Sequence, residues 1–189
     1  MRDGSKTRER IERRAMRLFV EKGVAETSIR DVAQAAGVAD GALYRHFKGK
    51  EDLVAKLFTG HYLGFAQTLD KLQASATDTR AKLRGMITEF CRFFDEDEFL
   101  FRFLLFVQHG QLTKLPAKSL TPVEVIRRVI VAGIRQGEIP RGEPELLAAM
   151  VVGLVLQAAT AIVYGRIRGS LSPHASRLST AGWAVLTHT

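Results

Sequence analysis

Between Thr27 and Phe47 the chain reads TSIRDVAQAAGVADGALYRHF, two short helices joined by a tight glycine turn. Thr27 can serve as an N-cap, and Ile29, Val32, Ala33 and Ala36 then recur at helical spacing as one apolar stripe. Gly37 stands where the chain must leave the first helix, a place that often needs a left-handed backbone, and Val38 closes over the turn. In the second helix Leu43 and Phe47 lie four residues apart and share the buried face, while Gly41, Ala42, Tyr44 and Arg45 point largely the other way.

A third helix precedes these two. Thr7 is placed to cap it, and Ile11, Ala15, Leu18 and Phe19 form its stripe up to Gly23, so three helices make one small core. The outward face of the last helix is slim at its start and cationic or aromatic later. A major groove about 12 Å wide admits such a helix, and Arg is well shaped to grip guanine with two hydrogen bonds. After Phe47 comes KGKEDL. Gly49 can cap the next helix, and Glu51 and Asp52 suit its positive end, but Lys50 does not. A cation there calls for an anion, which a phosphate oxygen would supply. The plainer alternatives are an ordinary helical hairpin and a lone surface lysine.

Residues 7 to 58 resemble the N-terminal DNA-binding domain of the TetR family of transcriptional repressors. The resemblance rests on the order of LFVEKG, TSIRDVAQAAGV and GALYRHFKGKEDL without insertions. It implies that Ser28, Gly41, Ala42, Tyr44, Arg45, His46 and Lys50 contact DNA, with Tyr44, His46 and Lys50 mostly on phosphates. Two positions depart from the family pattern. Ala39 replaces a serine that would cap the recognition helix, and Asp40 is a carboxylate where a lysine or small residue is frequent. Asp40 suits the helix dipole, repels phosphate, and has the chemistry to accept from a cytosine amino group.

Charge divides the same way. The 189 residues carry a formal net charge of +8, and the first fifty hold twelve Lys or Arg against seven Asp or Glu. A basic head favours polyanions of any kind, and the helix-turn-helix is what points to duplex DNA. The length allows a head at residues 1–50 and a body at residues 51–189 with its own core. Cys91 is the single cysteine, which excludes an internal disulfide. It has neither a second thiol nor a histidine at ligand spacing, so a small buried hydrophobe is the expected role and no metal or cofactor is expected. The basic N-terminus lacks the apolar core of a secretion signal, and the cytoplasm is the expected compartment.

The body reads as helical throughout, which makes the expected fold class all-α. Leu53, Leu57, Phe58 and Tyr62 face inward on a helix from Lys50 to about Ala74. Asp78 and Asp97 can open the next two helices, and Thr121, Pro122 and Glu124 form a capping box for another that ends at Gly137. Seven of the eleven phenylalanines fall between Phe90 and Phe106, forming either a dense core or the lining of a cavity. The family resemblance implies an effector chamber here, with Tyr62, Phe90, Cys91, Phe94, Arg102, Phe103, Phe106 and His109 as its candidate wall. Among these Arg102 stands out, since a guanidinium amid apolar neighbours needs a partner; a surface or intrachain-paired arginine is the plainer reading.

From Leu146 to Gly165 twenty residues pass without a formal charge, long enough to cross a bilayer. Their Ala, Gly and Val content with Gln157, Thr160 and Tyr164 favours a soluble helix buried on several sides. Gly153, Gln157 and Ala161, with Leu178, Ala181 and Val185 on the last helix, would build a four-helix interface between two copies. The family resemblance implies the same homodimer. A ligand-responsive repressor on a palindromic operator, released by a small apolar effector, is therefore expected, with no catalysis. The rivals are a helical carrier or enzyme that keeps the head as a structural module, and a membrane-attached sensor.

Overall fold

A computed structural model describes the backbone of residues 2–188 and the side chains of residues 4–188. In chain order the helices are α1 (Arg2–Lys22), α2 (Ile29–Ala35), α3 (Asp40–Tyr44), α4 (Lys50–Ala74), α5 (Thr79–Glu96), α6 (Glu98–Leu112), α7 (Pro122–Gln136), α8 (Pro144–Val163) and α9 (Ala175–Thr187), the last preceded by a 3₁₀ turn at Ser172–His174. Among the described residues there is no strand, and the fold is all-α as expected. Two compact units form. The first is Met1–His61 with Glu98–Ala117, the second Tyr62–Asp97 with Lys118–Thr189. Packing thus gathers the start of α4 and all of α6 with the head, because these helices share its apolar core rather than because the chain changes composition at residue 50.

In the first unit Ile11, Ala15, Phe19, Val32, Ala33, Ala36, Leu43 and Phe47 are all buried. Phe19 also stacks on Phe103 of α6, ring centroids 6.0 Å apart. Two caps differ from expectation. α1 begins at Arg2, so Thr7 lies inside the helix. Thr27 is fully buried, and its hydroxyl donates to the Gly23 carbonyl at 2.8 Å, closing the exit of α1. Ser28 caps α2 instead: its hydroxyl accepts from the Asp31 amide at 3.1 Å, and the Asp31 carboxylate accepts from the Ser28 amide at 2.8 Å. Two adjacent hydroxyls fit the same sequence rule, and the buried one was claimed by the preceding helix. Gly37 has φ +61, and the Gly37 and Val38 amides donate to the Gln34 and Ala33 carbonyls, a doubly bonded left-handed stop.

In the second unit Phe65, Ala66, Leu69, Met86, Val125 and Val129 form a buried cluster, with Phe90 and Phe93 packed against it. Phe65 stacks on Phe93 at 4.5 Å and meets Phe90 edge-on at 6.0 Å. Asp78 caps α5 by accepting from the Ala81 amide at 2.7 Å. Thr121 caps α7 by accepting from the Glu124 amide at 3.2 Å. Only half of the expected capping box forms, because the Glu124 carboxylate is held by Arg127 and Arg128 at 2.7 and 2.9 Å. Those hydrogen bonds, Arg127 first, hold its pKa down to about 2 against some opposition from desolvation. The favourable contribution is therefore present above the ordinary carboxylate range and fades as pH falls from about 4.5 toward 2.

Gly133 marks the closest approach in this unit. A Cβ there would lie 2.8 and 2.9 Å from the two branches of Thr79 and 2.9 Å from Ile139 Cδ1. Thr79 cannot step aside: both of its branches face the glycine, and its amide is tied to Glu138 Oε2 at 2.9 Å. Alanine would gain about 1 kcal/mol of helix propensity, yet overpacking costs about 1–3 kcal/mol. Gly133→Ala is expected to lower the stability of this unit, measured as a lower urea midpoint with unchanged slope; a raised midpoint would show that the contact yields.

α8 departs from expectation. It is long and apolar enough to cross a membrane by length and composition, but only 28% of its most apolar window is buried. Leu147, Ala148, Val151, Val155 and Ala159 face inward on one side. On the opposite side Leu146, Met150 and Gly153 are exposed. One side rather than several is covered, because α8 has helices of its own unit against only that side.

Candidate nucleic-acid interface

The short α3 is framed by backbone alone at its start. Ala39 occupies the N-cap with φ −66 and ψ 148 and makes no side-chain cap, as the missing serine implies; its carbonyl accepts from Ala42 at 2.8 Å. Asp40 then follows in the first turn, and its carboxylate lies 3.8 Å from Arg30 Nε, both side chains well exposed. Pairing with Arg30 is a role that the spacing within α3 alone could not reveal. Gly41 is exposed with open space where a Cβ would stand, and Ala42 adds little bulk, so the leading face of α3 stays slim.

At the end of α3, Leu43 and Phe47 plug the core while Tyr44 is 53% exposed and Arg45 is exposed beside it. Burying so large an aromatic elsewhere would have been favourable, so its position outward reflects the helical phase set by Leu43 and Phe47. Arg45 has no acid partner among the described residues. His46 is half-buried, its ring 6.3 Å from that of Phe47. Phe47 itself is flanked by two cations, the Arg8 guanidinium 5.7 Å and the Lys56 ammonium 5.5 Å from its ring centroid.

Lys50 is already occupied. Its ammonium donates to the carbonyl oxygens of Val24 at 2.8 Å and Ala25 at 3.2 Å, tying the α1–α2 connection to the start of α4. The negative partner that a cation at a helix start calls for is thus supplied by two carbonyl dipoles. Asp52 completes the same corner by accepting from Lys56 and from the Lys48 amide, which hold its carboxyl below the ordinary range. Ser28 combines its capping role with exposure at the start of α2.

The remaining candidate residues fall in both units. Tyr62, Phe90, Cys91 and Phe94 belong to the second; Arg102, Phe103, Phe106 and His109 belong to the first, on α6. Cys91 and Phe94 are buried, Tyr62 and Phe90 half-buried. Burial raises the Tyr62 hydroxyl, and burial with the nearby Asp95 charge pushes the Cys91 thiol up to about 11, so it stays protonated and unreactive. On α6 Phe103 is buried, whereas Phe106 is 45% exposed and His109 is exposed. Arg102 lies 3.4 Å from Glu98, yet its Nε is buried without a hydrogen-bond partner. Gly153, Gln157, Ala161 and Val185 do come together, lining one open apolar groove with Met150, Leu154, Ala158 and Ile167. Leu178 and Ala181 are half-buried on α9 outside that lining.

Comparison with known proteins sharpens this picture. Residues 11–57 match the family described as bacterial regulatory proteins, tetR family. The transcriptional repressor KstR2 of Rhodococcus jostii is 38% identical over 74 residues, 39% of this chain and 36% of that protein. The chain thus covers only about a third of that relative, and the likeness lies in the head. Solved structures extend it in fold. A TetR family transcription regulator from Marinobacter aquaeolei superimposes with a TM-score of 0.83 at 19% identity over 98% of both chains. FadR from Bacillus subtilis, solved in complex with stearoyl-CoA, gives 0.76 at 20% identity over 96% of this chain and 98% of that one. Over residues 11–57 the head is therefore similar in sequence to the tetR family of bacterial regulatory proteins, and nearly the whole chain shares the fold of solved TetR family regulators.

Proposed function

We propose that this chain is a ligand-responsive transcriptional regulator, a repressor that binds palindromic duplex DNA as a homodimer and is released by a small, largely apolar effector. It acts in the cytoplasm and catalyses no reaction. The observation that carries the reading is α3: a slim leading turn followed by Tyr44 and Arg45, both turned outward from a buried three-helix core. In this reading Gly41 and Ala42 allow close approach, Arg45 reads a base edge, and Tyr44, His46 and Ser28 hold phosphates. Lys50 spends two donors on carbonyls and offers the third to a phosphate. Residues 1–50 read DNA, while residues 51–189 sense the effector and pair the subunits.

The open face of α8 supports pairing. Two copies that lay Gly153, Gln157 and Ala161 against one another, with α9 alongside, would cover it and generate the two-fold axis that a palindrome requires. Each recognition helix would then enter successive major grooves about 34–36 Å apart. An effector that favours another separation of the heads lowers DNA affinity by linkage. The named repressor among the relatives supports the direction of regulation, and the stearoyl chain of the acyl-CoA held by the Bacillus FadR supports an effector with a long apolar part.

Selection of bound duplexes from random DNA, followed by a gel-shift screen for release by acyl compounds, tests the reading; a chain that ignores every duplex at low salt would refute it. Arg45→Ala is expected to weaken binding by about 1–3 kcal/mol and to relax preference at one base position. Lys50→Ala should weaken all sequences alike, since it loosens the corner that holds the head. Uniform loss across operator variants for both mutants would remove Arg45 from base recognition.

A further inference from the structure

α5 and α9 pack side by side in the second unit and leave a polar cleft of about 400 Å³ along their seam. Arg80 and Arg84 line it from α5, Ser176 and Thr180 from α9, each pair one helical turn apart and so on one face of its helix. Its size falls within the range of about 300–1,000 Å³ of small-molecule sites.

Both guanidinia lack an acid partner among the described residues. The acids around them are committed elsewhere. Asp78, which also lines the cleft, caps the Ala81 amide, and Glu138 accepts from the Thr79 amide. Glu89 and Glu96 hold Arg92, and Asp95 accepts from the Leu171 and Ser172 amides at 2.7 and 2.8 Å. α9 offers none, since the chain has no Asp or Glu from Leu146 to Thr189. Arg80 stands in the first turn of α5, where the helix dipole disfavours a cation, and Arg84 repeats the charge four residues on. Arg80 is nonetheless held in place, its guanidinium 5.9 Å from the Trp183 ring centroid. Thr180 donates to the Ser176 carbonyl at 3.1 Å, whereas the Ser176 hydroxyl has no partner among the described residues.

Two cations set against local preference, with a free hydroxyl on the same cleft, are matched to an external oxyanion. Two guanidinium forks and a hydroxyl on another helix offer donors from separate directions, which suits a tetrahedral dianion; a planar carboxylate is filled by one fork. We propose that the α5–α9 cleft binds the phosphate group of a small soluble metabolite, with Arg80, Arg84 and Ser176 donating to its oxygens and the remaining volume taking its organic part. Leu178, Ala181 and Val185 point to the opposite side of α9, so the proposed pairing of subunits leaves the cleft open. The site depends on neither the DNA nor the dimer reading.

Trp183 is the chain's only tryptophan, and beneath Arg80 its emission reports the site. Inorganic phosphate and phenyl phosphate, titrated separately into the full-length protein at constant ionic strength, should each change that emission saturably within the millimolar range, while chloride and acetate should not. Arg84→Gln keeps helix propensity and leaves Arg80 over the indole; it should weaken both phosphates about 10-fold. Arg80→Gln/Arg84→Gln should lose binding by calorimetry while remaining at least as heat-stable as wild type without phosphate, because the like-charge pair is gone. The control Arg141→Gln/Arg168→Gln removes equal charge from exposed positions of the same unit and should titrate as wild type. An equal response to chloride and acetate would reduce the effect to screening and overturn the proposal, as would unchanged affinity in the double variant. Uptake of inorganic phosphate with exclusion of phenyl phosphate would overturn the metabolite, and wild-type binding to phosphatidic acid vesicles but to neither soluble probe would replace it with a membrane surface.

Discussion

Replacing Phe47 with alanine is expected to abolish the proposed duplex binding by melting the head. The side chain is 1% exposed and is the last large plug of the three-helix core. Truncating a buried phenylalanine costs about 3–5 kcal/mol, and the Arg8 and Lys56 cations over the ring lose their π-face as well. A small unit is stable by about 5–15 kcal/mol in total, so the change removes a large part of what keeps α2 and α3 in place. Hydrogen exchange is the informative measurement: amides of α2 and α3 should lose protection while those of α5 and α7 keep theirs. Tyr44→Ala is the companion variant. Its side chain is more than half exposed, so affinity should fall with protection unchanged. Retained protection in Phe47→Ala would show that the head is held from elsewhere.

In the proposed homodimer, Gly153→Glu is expected to separate the subunits and to lower the DNA affinity with them. No heavy atom lies within 4 Å of where a Cβ would stand at Gly153, so the isolated chain accommodates a side chain without repacking. A carboxylate in the middle of the apolar groove, repeated by symmetry in the second copy, would bring two like charges into a desolvated interface. Linking two recognition elements raises avidity by about 10²–10⁴-fold, and a monomer forfeits that gain. Light scattering should report the mass of one chain, thermal stability should hold, and operator binding should fall about 100-fold or more. A variant that remains dimeric would move the interface off α8.

Much of the head was legible because its signals are local. Gly37 needed only its place after an apolar stripe, and the unmade cap at Ala39 needed only the absence of a side-chain oxygen. Leu43 and Phe47 fixed the phase of α3, which forced Tyr44 and Arg45 outward. The choice between Thr27 and Ser28 was illegible for the opposite reason, since either hydroxyl satisfies the local pattern and only the fold decided which one was buried against the end of α1.

In the body, periodicity located helices but could not tell which of their faces would be covered. α8 looked apolar on all sides, and nothing in twenty uncharged residues distinguishes a side packed by its own chain from one left open. Aromatic density between Phe90 and Phe106 likewise failed to separate buried Phe94 and Phe103 from exposed Phe106, because Phe103 and Phe106 share α6 and only packing decides which part of its surface is covered.

By itself, then, the order of side chains determined the all-α class, the helix-turn-helix and the residues that its recognition helix turns outward. These follow from hydrogen bonds and apolar contacts between neighbours within a turn or two. Only the tertiary structure decided that two carbonyls accept from Lys50, that Arg30 faces Asp40, that Gly133 admits Thr79, and that one side of α8 stays uncovered. Each of these depends on groups far apart in the chain, or on which helix comes to lie against which, and no local pattern encodes that distance.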